Sequence, residues 1–207
     1  MRRQSFREAA SSLIFVVLLV ANQSCGYFRQ TSKVNLPAAK ASPSAIDQAN
    51  RDEPQTKSPL PSPTGYVNDY AGVFDTTAGR NLEARLAELK KLTAIEFAVV
   101  TVDTTGDKSI YEYSLAVARG WGIGPKDKST GGGLLLLLAV KDRQWRLQVS
   151  RNLEKELPDD VCRELGEKST QLYQRGAYAQ GLDAYVEAII ERLQKTRGFS
   201  MPRRNAA

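Results

Sequence analysis

The chain has 207 residues, 29 Lys and Arg against 23 Asp and Glu, two cysteines and no histidine. Without histidine, Ser-His and Cys-His catalysis and His-ligated zinc or iron are excluded, and the widely separated Cys25 and Cys162 exclude a disulfide framework or a Cys-x-x-Cys metal site. The net charge of +6 resides in the flanks, because residues 65–196 hold 18 basic and 19 acidic residues; a near-neutral folded part argues against nucleic acid as a partner.

Arg2, Arg3 and Arg7 precede an apolar run from Ala9 to Ala21. A charged start followed by a short apolar stretch is the secretory pattern, and the run falls short of the roughly 20 residues a spanning helix needs. Residues 1–24 are therefore expected to be a signal peptide. Ser24-Cys25-Gly26 resembles a bacterial lipobox, although Asn22 and Gln23 depart from its upstream pattern. Lipidation of Cys25 is the expectation, which makes the membrane a partner through an N-terminal lipid anchor. Residues 25–64 hold six of the nine prolines and show no apolar period. They read as a disordered linker. The 40 residues from Cys25 to Gly65 would span roughly 35 Å. Its Pro-x-x-Pro-like spacing also suits a ligand for a partner, but composition favours a spacer.

Asp75 or Thr76 is placed to cap a helix reaching about Lys91, with Leu82, Leu86 and Leu89 on one face. Ala94–Asp103 reads as a buried strand because its end is β-branched. Ser109 caps a second helix whose stripe is Ile110, Tyr113, Ser114, Val117 and Trp121, ended by Gly120, Gly122, Gly124 and Pro125. Gly131–Gly133 leads into a leucine strand over 134–140, a polar hairpin turn follows at 141–144, and a return strand spans 145–150. A third helix opens at Pro158-Asp159-Asp160 with Val161, Cys162, Leu165, Ser169 and Leu172 inside, so Cys162 is a core residue and not a nucleophile. A last helix runs from about Gly176 to Arg197. Leucines without a polar face demand helices on both sides of the sheet. The expected fold is α/β, a Rossmann-like three-layer α/β/α sandwich with a small mixed sheet over residues 65–196. Residues 197–207 are expected to form a basic disordered tail.

Phosphate and nucleophile motifs fail on spacing. Asp103 is followed by Thr105 where an Asp-x-Asp enzyme needs its second Asp, Cys162 has Lys168 where a Cys-x5-Arg phosphatase has Arg, and Gly131–Gly133 lacks a following Lys-Ser/Thr. What survives is a set of loop acids: Asp69, Asp103, Asp107, Glu154, Glu156, Asp159 and Asp160. Ligands of α/β sheets sit outside the carboxyl ends of strands, and hard cations such as Ca²⁺ or Mg²⁺ take carboxylate oxygens. Asp69, Asp103 and Asp159 are the candidate ligands for such a cation, with helix capping as the competing role for Asp75, Asp159 and Asp160.

Five stretches resemble the TPM domain family. Tyr66–Phe74 resembles its opening Val-x-Asp-x-Ala signature, and Ala118–Gly124 its Trp-x-Ile-Gly turn. Gly132–Leu136 followed by Asp142-Arg143 resembles its leucine strand and Asp-Arg hairpin; Asn152–Glu154 and Leu157–Asp159 resemble its Gly-Leu-Glu and Leu-x-Asp stretches. Gly132 stands where the family usually has Asn, and Ser150–Asn152 replaces Gly-Tyr-Gly. The resemblance spans Gly65 to Leu193. It implies an α/β/α sandwich on the non-cytosolic side of a membrane, in the periplasm or at the cell surface, with divalent-cation binding and weak acid-phosphatase activity in some members. The expected function is an exported, membrane-tethered accessory or quality-control factor that binds envelope proteins through a cation-organised acidic loop surface. The alternative is a metal-dependent phosphomonoesterase.

Overall fold

A computed structural model of the chain describes residues 57–124 and 131–202. The expected signal peptide, Cys25, most of the proline-rich segment, Pro125 and the final arginines lie outside these residues.

Asp75 opens helix α1 (Thr76–Thr93) by accepting hydrogen bonds from the Thr77 and Ala78 amides. Lys90 and Lys91 in the last turn oppose the negative end of its dipole. Ser109 and Glu112 form a reciprocal capping box on α2 (Ile110–Trp121). Strand β2 (Ile95–Val102) runs parallel to β3 (Gly132–Ala139), and β4 (Gln144–Val149) returns antiparallel to β3. A 3₁₀ turn (Arg151–Leu153) leads to α3 (Asp159–Gln174) and α4 (Tyr178–Arg197).

The sheet has a fourth strand that the periodicity does not announce. Val67–Asp69 is β1, parallel to β2, and gives the order β1-β2-β3-β4. Three residues are too few to show alternation. Their extended shape comes from pairing, with the Val99 amide donating to the Tyr66 carbonyl and the Tyr70 amide to the Thr101 carbonyl. The Glu83 carboxylate on α1 accepts from the Tyr66 and Val67 amides at 3.0 and 2.7 Å, which occupies donors that an edge strand otherwise leaves open.

Alternation along β2 and β3 sorts the core into two layers. Ile95, Phe97, Val99, Leu134, Leu136 and Leu138 face α1, α3 and α4, while Ala98, Val100, Val102, Leu135, Leu137 and Ala139 face α2. Each fully buried leucine is worth about 1.5–3 kcal/mol of transfer free energy. On β4, Trp145, Leu147 and Val149 join the first layer; Arg146 and Gln148 point to the other side, with Gln148 bonded to the Ser114 hydroxyl of α2. The result is an open, three-layer α/β/α sandwich.

The two parallel connections step across the sheet in the same direction, yet α1 and α2 cover opposite faces. One of these crossovers is therefore left-handed, against a right-handed preference of about 98%.

Both expected domain boundaries are narrower than the packed unit. Leu60 packs on the α2 layer, and the Trp121 indole donates to the Pro61 carbonyl at 2.8 Å, so Ser58–Pro63 is a strap on the domain and not free linker. At the other end Arg197 holds Glu156 at 2.8 Å, Met201 is buried, and Arg85 donates to the Pro202 carbonyl. Apolar side chains and buried donors keep residues 197–202 ordered where composition alone suggested a tail.

Candidate functional site

The carboxyl ends of β1, β2 and β3 share one rim of the sheet, because all three strands are parallel. Asp69 ends β1. Its carboxylate accepts from the Val73 and Phe74 amides at 3.1 and 2.9 Å, and from the hydroxyl of Thr101 on β2. Thr101 is fully buried and its oxygen accepts in turn from the Ala71 amide. Asp69 and Thr101 thus pin the 70–74 loop to the sheet.

Asp103 lies just past β2, exposed, and pairs with Lys141 at 2.9 Å. Both groups are more than half exposed, so solvent screening leaves this pair worth about 0–1 kcal/mol. Asp142, in the hairpin turn after β3, accepts from the Thr104 hydroxyl and the Thr105 amide, each at 2.8 Å. The Thr105 hydroxyl reaches the Lys108 carbonyl at 2.7 Å. Asp107 is exposed on the same turn.

The sequence-expected ligands do not converge. β4 enters at this rim and leaves at the opposite one, where the Ser150 amide bonds the Gly133 carbonyl. Asp159 follows that exit, exposed in the first turn of α3 beside Asp160. Glu156 is held there by Arg197. Among the described residues, no three acidic or thiol side chains gather closely enough to hold one ion. Asp69, Asp103 and Asp159 therefore do not fit as ligands of a single divalent cation, since the register that places the first two at one rim carries the third to the other.

Asp142, Thr101 and Thr105 are the rim residues that sequence reasoning missed. A turn aspartate and strand threonines have ordinary local explanations. Only the β2–β3 register, which pairs Val102 with Ala139, sets the 103–105 turn beside the 140–143 turn.

The Thr105 amide, followed by the Thr104 hydroxyl, holds the Asp142 carboxyl below the usual aspartate range. The folded state thus favours the carboxylate. This contact is complete above the ordinary aspartate value and is lost as pH falls through the lowered one. Acid titration should move the Thr105 amide resonance with a midpoint below that of a free aspartate; a midpoint at or above it would contradict the assignment.

Cys162 is remote from the rim. Its thiol donates to the Leu157 carbonyl at 3.4 Å, and burial pushes it up to about 11. A thiol held protonated in the core is not a nucleophile.

The TPM domain model, named TPM_phosphatase, matches residues 67–192. The chain belongs to the TPM-domain family. It is similar to the solution structure of the N-terminal domain of a P. gingivalis protein, with 29% identity and a TM-score of 0.58 over 68% of this chain and 89% of that one. The BA42 protein of Bizionia argentinensis is 16% identical with a TM-score of 0.51, over 59% of this chain and 82% of that one, and shares the fold. No curated protein matches the chain.

Proposed function

We propose that this TPM domain is an exported, membrane-tethered accessory factor that binds envelope proteins through the rim formed by the ends of β1, β2 and β3. Export and tethering rest on the basic start, the short apolar run and Cys25. The observation that carries the binding role is how the rim acids are used. Asp69 and Asp142 fix backbone amides, and Asp103 pairs with a lysine. These contacts build an ordered polar surface with Tyr70 exposed beside it, and they supply neither a nucleophile nor a base to activate one.

A second reading, a phosphomonoesterase, draws support from the name of the matching family model. Turnover of p-nitrophenyl phosphate by the full chain separates the two. The accessory reading expects none above background with Ca²⁺ or Mg²⁺ present, together with capture of envelope proteins that Asp103→Lys and Tyr70→Ala weaken. Cation-dependent turnover lost in Asp103→Asn would establish the esterase instead. Mass spectrometry of the mature chain should find an acylated Cys25 at its N-terminus, and an unmodified start elsewhere would remove the tether.

A further inference from the structure

We infer that the C-terminal end of α2 is a groove for proline-rich chain, occupied in cis by Ser58–Pro63, and that a partner carrying a Pro-Leu-Pro-like segment competes for it. The inference goes beyond the rim reading and does not depend on it.

Three features fit this ligand chemistry. The Trp121 indole N–H points at the carbonyl of Pro61 at 2.8 Å; a proline-rich segment offers carbonyl acceptors with few amides of its own. Leu60, set between two prolines, packs onto the apolar layer beneath α2. Gly120 forms the floor, where an added Cβ would stand 2.4 Å from the Ser58 nitrogen, so only a residue without a side chain admits the strap's backbone. A cleft lined by Lys57, Ser58, Ser62, Gly120, Trp121 and Gly122 continues the groove.

The strap itself suits reversible docking. Pro59, Pro61 and Pro63 have fixed φ, and Ser58, Leu60 and Ser62 each precede a proline, which restricts them too. Such a segment has little conformational freedom to lose on binding. Ser58 and Leu60 are half-buried, whereas Pro59, Pro61, Ser62, Pro63 and Thr64 are exposed. Few buried contacts mean a low local opening free energy. Opening would add up to about 20 Å of reach to the tether, at roughly 3.3–3.6 Å per extended residue. Partner capture and tether length would then be coupled.

The test uses the ¹⁵N-labelled full chain in detergent and an acetylated peptide of residues 57–64, observed at the Trp121 indole resonance, which Trp121→Phe identifies. In the wild type the strap competes, so peptide binding is weak. Replacing Pro59, Pro61 and Pro63 together by Gly gives the free strap more freedom. It should shift the indole resonance and tighten peptide binding at least tenfold, because apparent affinity scales with the open fraction. Leu60→Asp should do the same by an independent route. Gly120→Val added to either variant should abolish peptide binding. An indole resonance unchanged in both released variants, or peptide binding indifferent to Gly120→Val, would overturn the inference. So would concentration-dependent dimers formed by strap exchange, which would make a second copy the occupant.

Discussion

Gly131→Ala is expected to lower the unfolding free energy by about 3–5 kcal/mol, and Gly72→Ala by only about 1–2 kcal/mol. Both glycines have left-handed backbone, with φ of 80° and 65°. An alanine at either place carries the conformational penalty. Only Gly131 adds a collision, since its Cβ would lie 2.2 Å from the Ala94 carbonyl oxygen, whereas nothing stands within 4 Å at Gly72. The obstacle is backbone at the α1–β2 junction, and Ala94 itself already holds a left-handed φ of 58° to end the helix. Relief would require moving β3 away from β2 at Ile95–Gly132, where their pairing begins. Domains of this size have a net stability of about 5–15 kcal/mol, so the larger loss would consume a substantial part of it. Urea unfolding followed by far-ultraviolet circular dichroism measures both variants. Equal losses would show that the strand start yields freely and that the glycine run serves only as a turn.

The contrast between those glycines shows where sequence reasoning reaches and where it stops. The leucines of β3, the capping box at Ser109 and the alternation of β4 were legible because each depends on neighbours within one element. Gly131 was legible as a sharp turn, but the carbonyl it faces is 37 residues away and enters only through strand register. The same limit governs the site. Asp69 and Asp103 were placed at strand ends, yet their partners Thr101 and Lys141 come from neighbouring strands and turns. Asp159 looked equivalent to them only because linear order does not say that an antiparallel β4 reverses the rim. The strap fails differently. Proline-rich composition argues for disorder when averaged over 40 residues, whereas Leu60 and the Pro61 carbonyl depend on one tryptophan of α2.

Asp69→Ala is expected to cost about 2–4 kcal/mol of stability, because two amides and a hydroxyl lose their acceptor together and each unpaired buried group costs about 1–3 kcal/mol. Val73 and Phe74 can recover part of this by turning to water; the Thr101 hydroxyl, fully buried in β2, cannot. Asp69→Asn should retain little of the loss-free behaviour. Val73 and Phe74 donate to different carboxylate oxygens, so the amide NH₂ would face an N–H donor whichever way it is turned. Asp103→Asn, at an exposed ion pair, should stay within about 0.5 kcal/mol of the parent. The comparison matters for reading any assay of this surface. If the rim binds a partner, Asp69→Ala should lose binding and Tm together, with faster hydrogen exchange at Val73 and Phe74, whereas a direct contact such as Asp103 should lose binding at unchanged Tm. An Asp69→Ala protein as stable as the parent would show that the 70–74 loop holds itself, and would return this carboxylate to the list of groups free to meet a ligand.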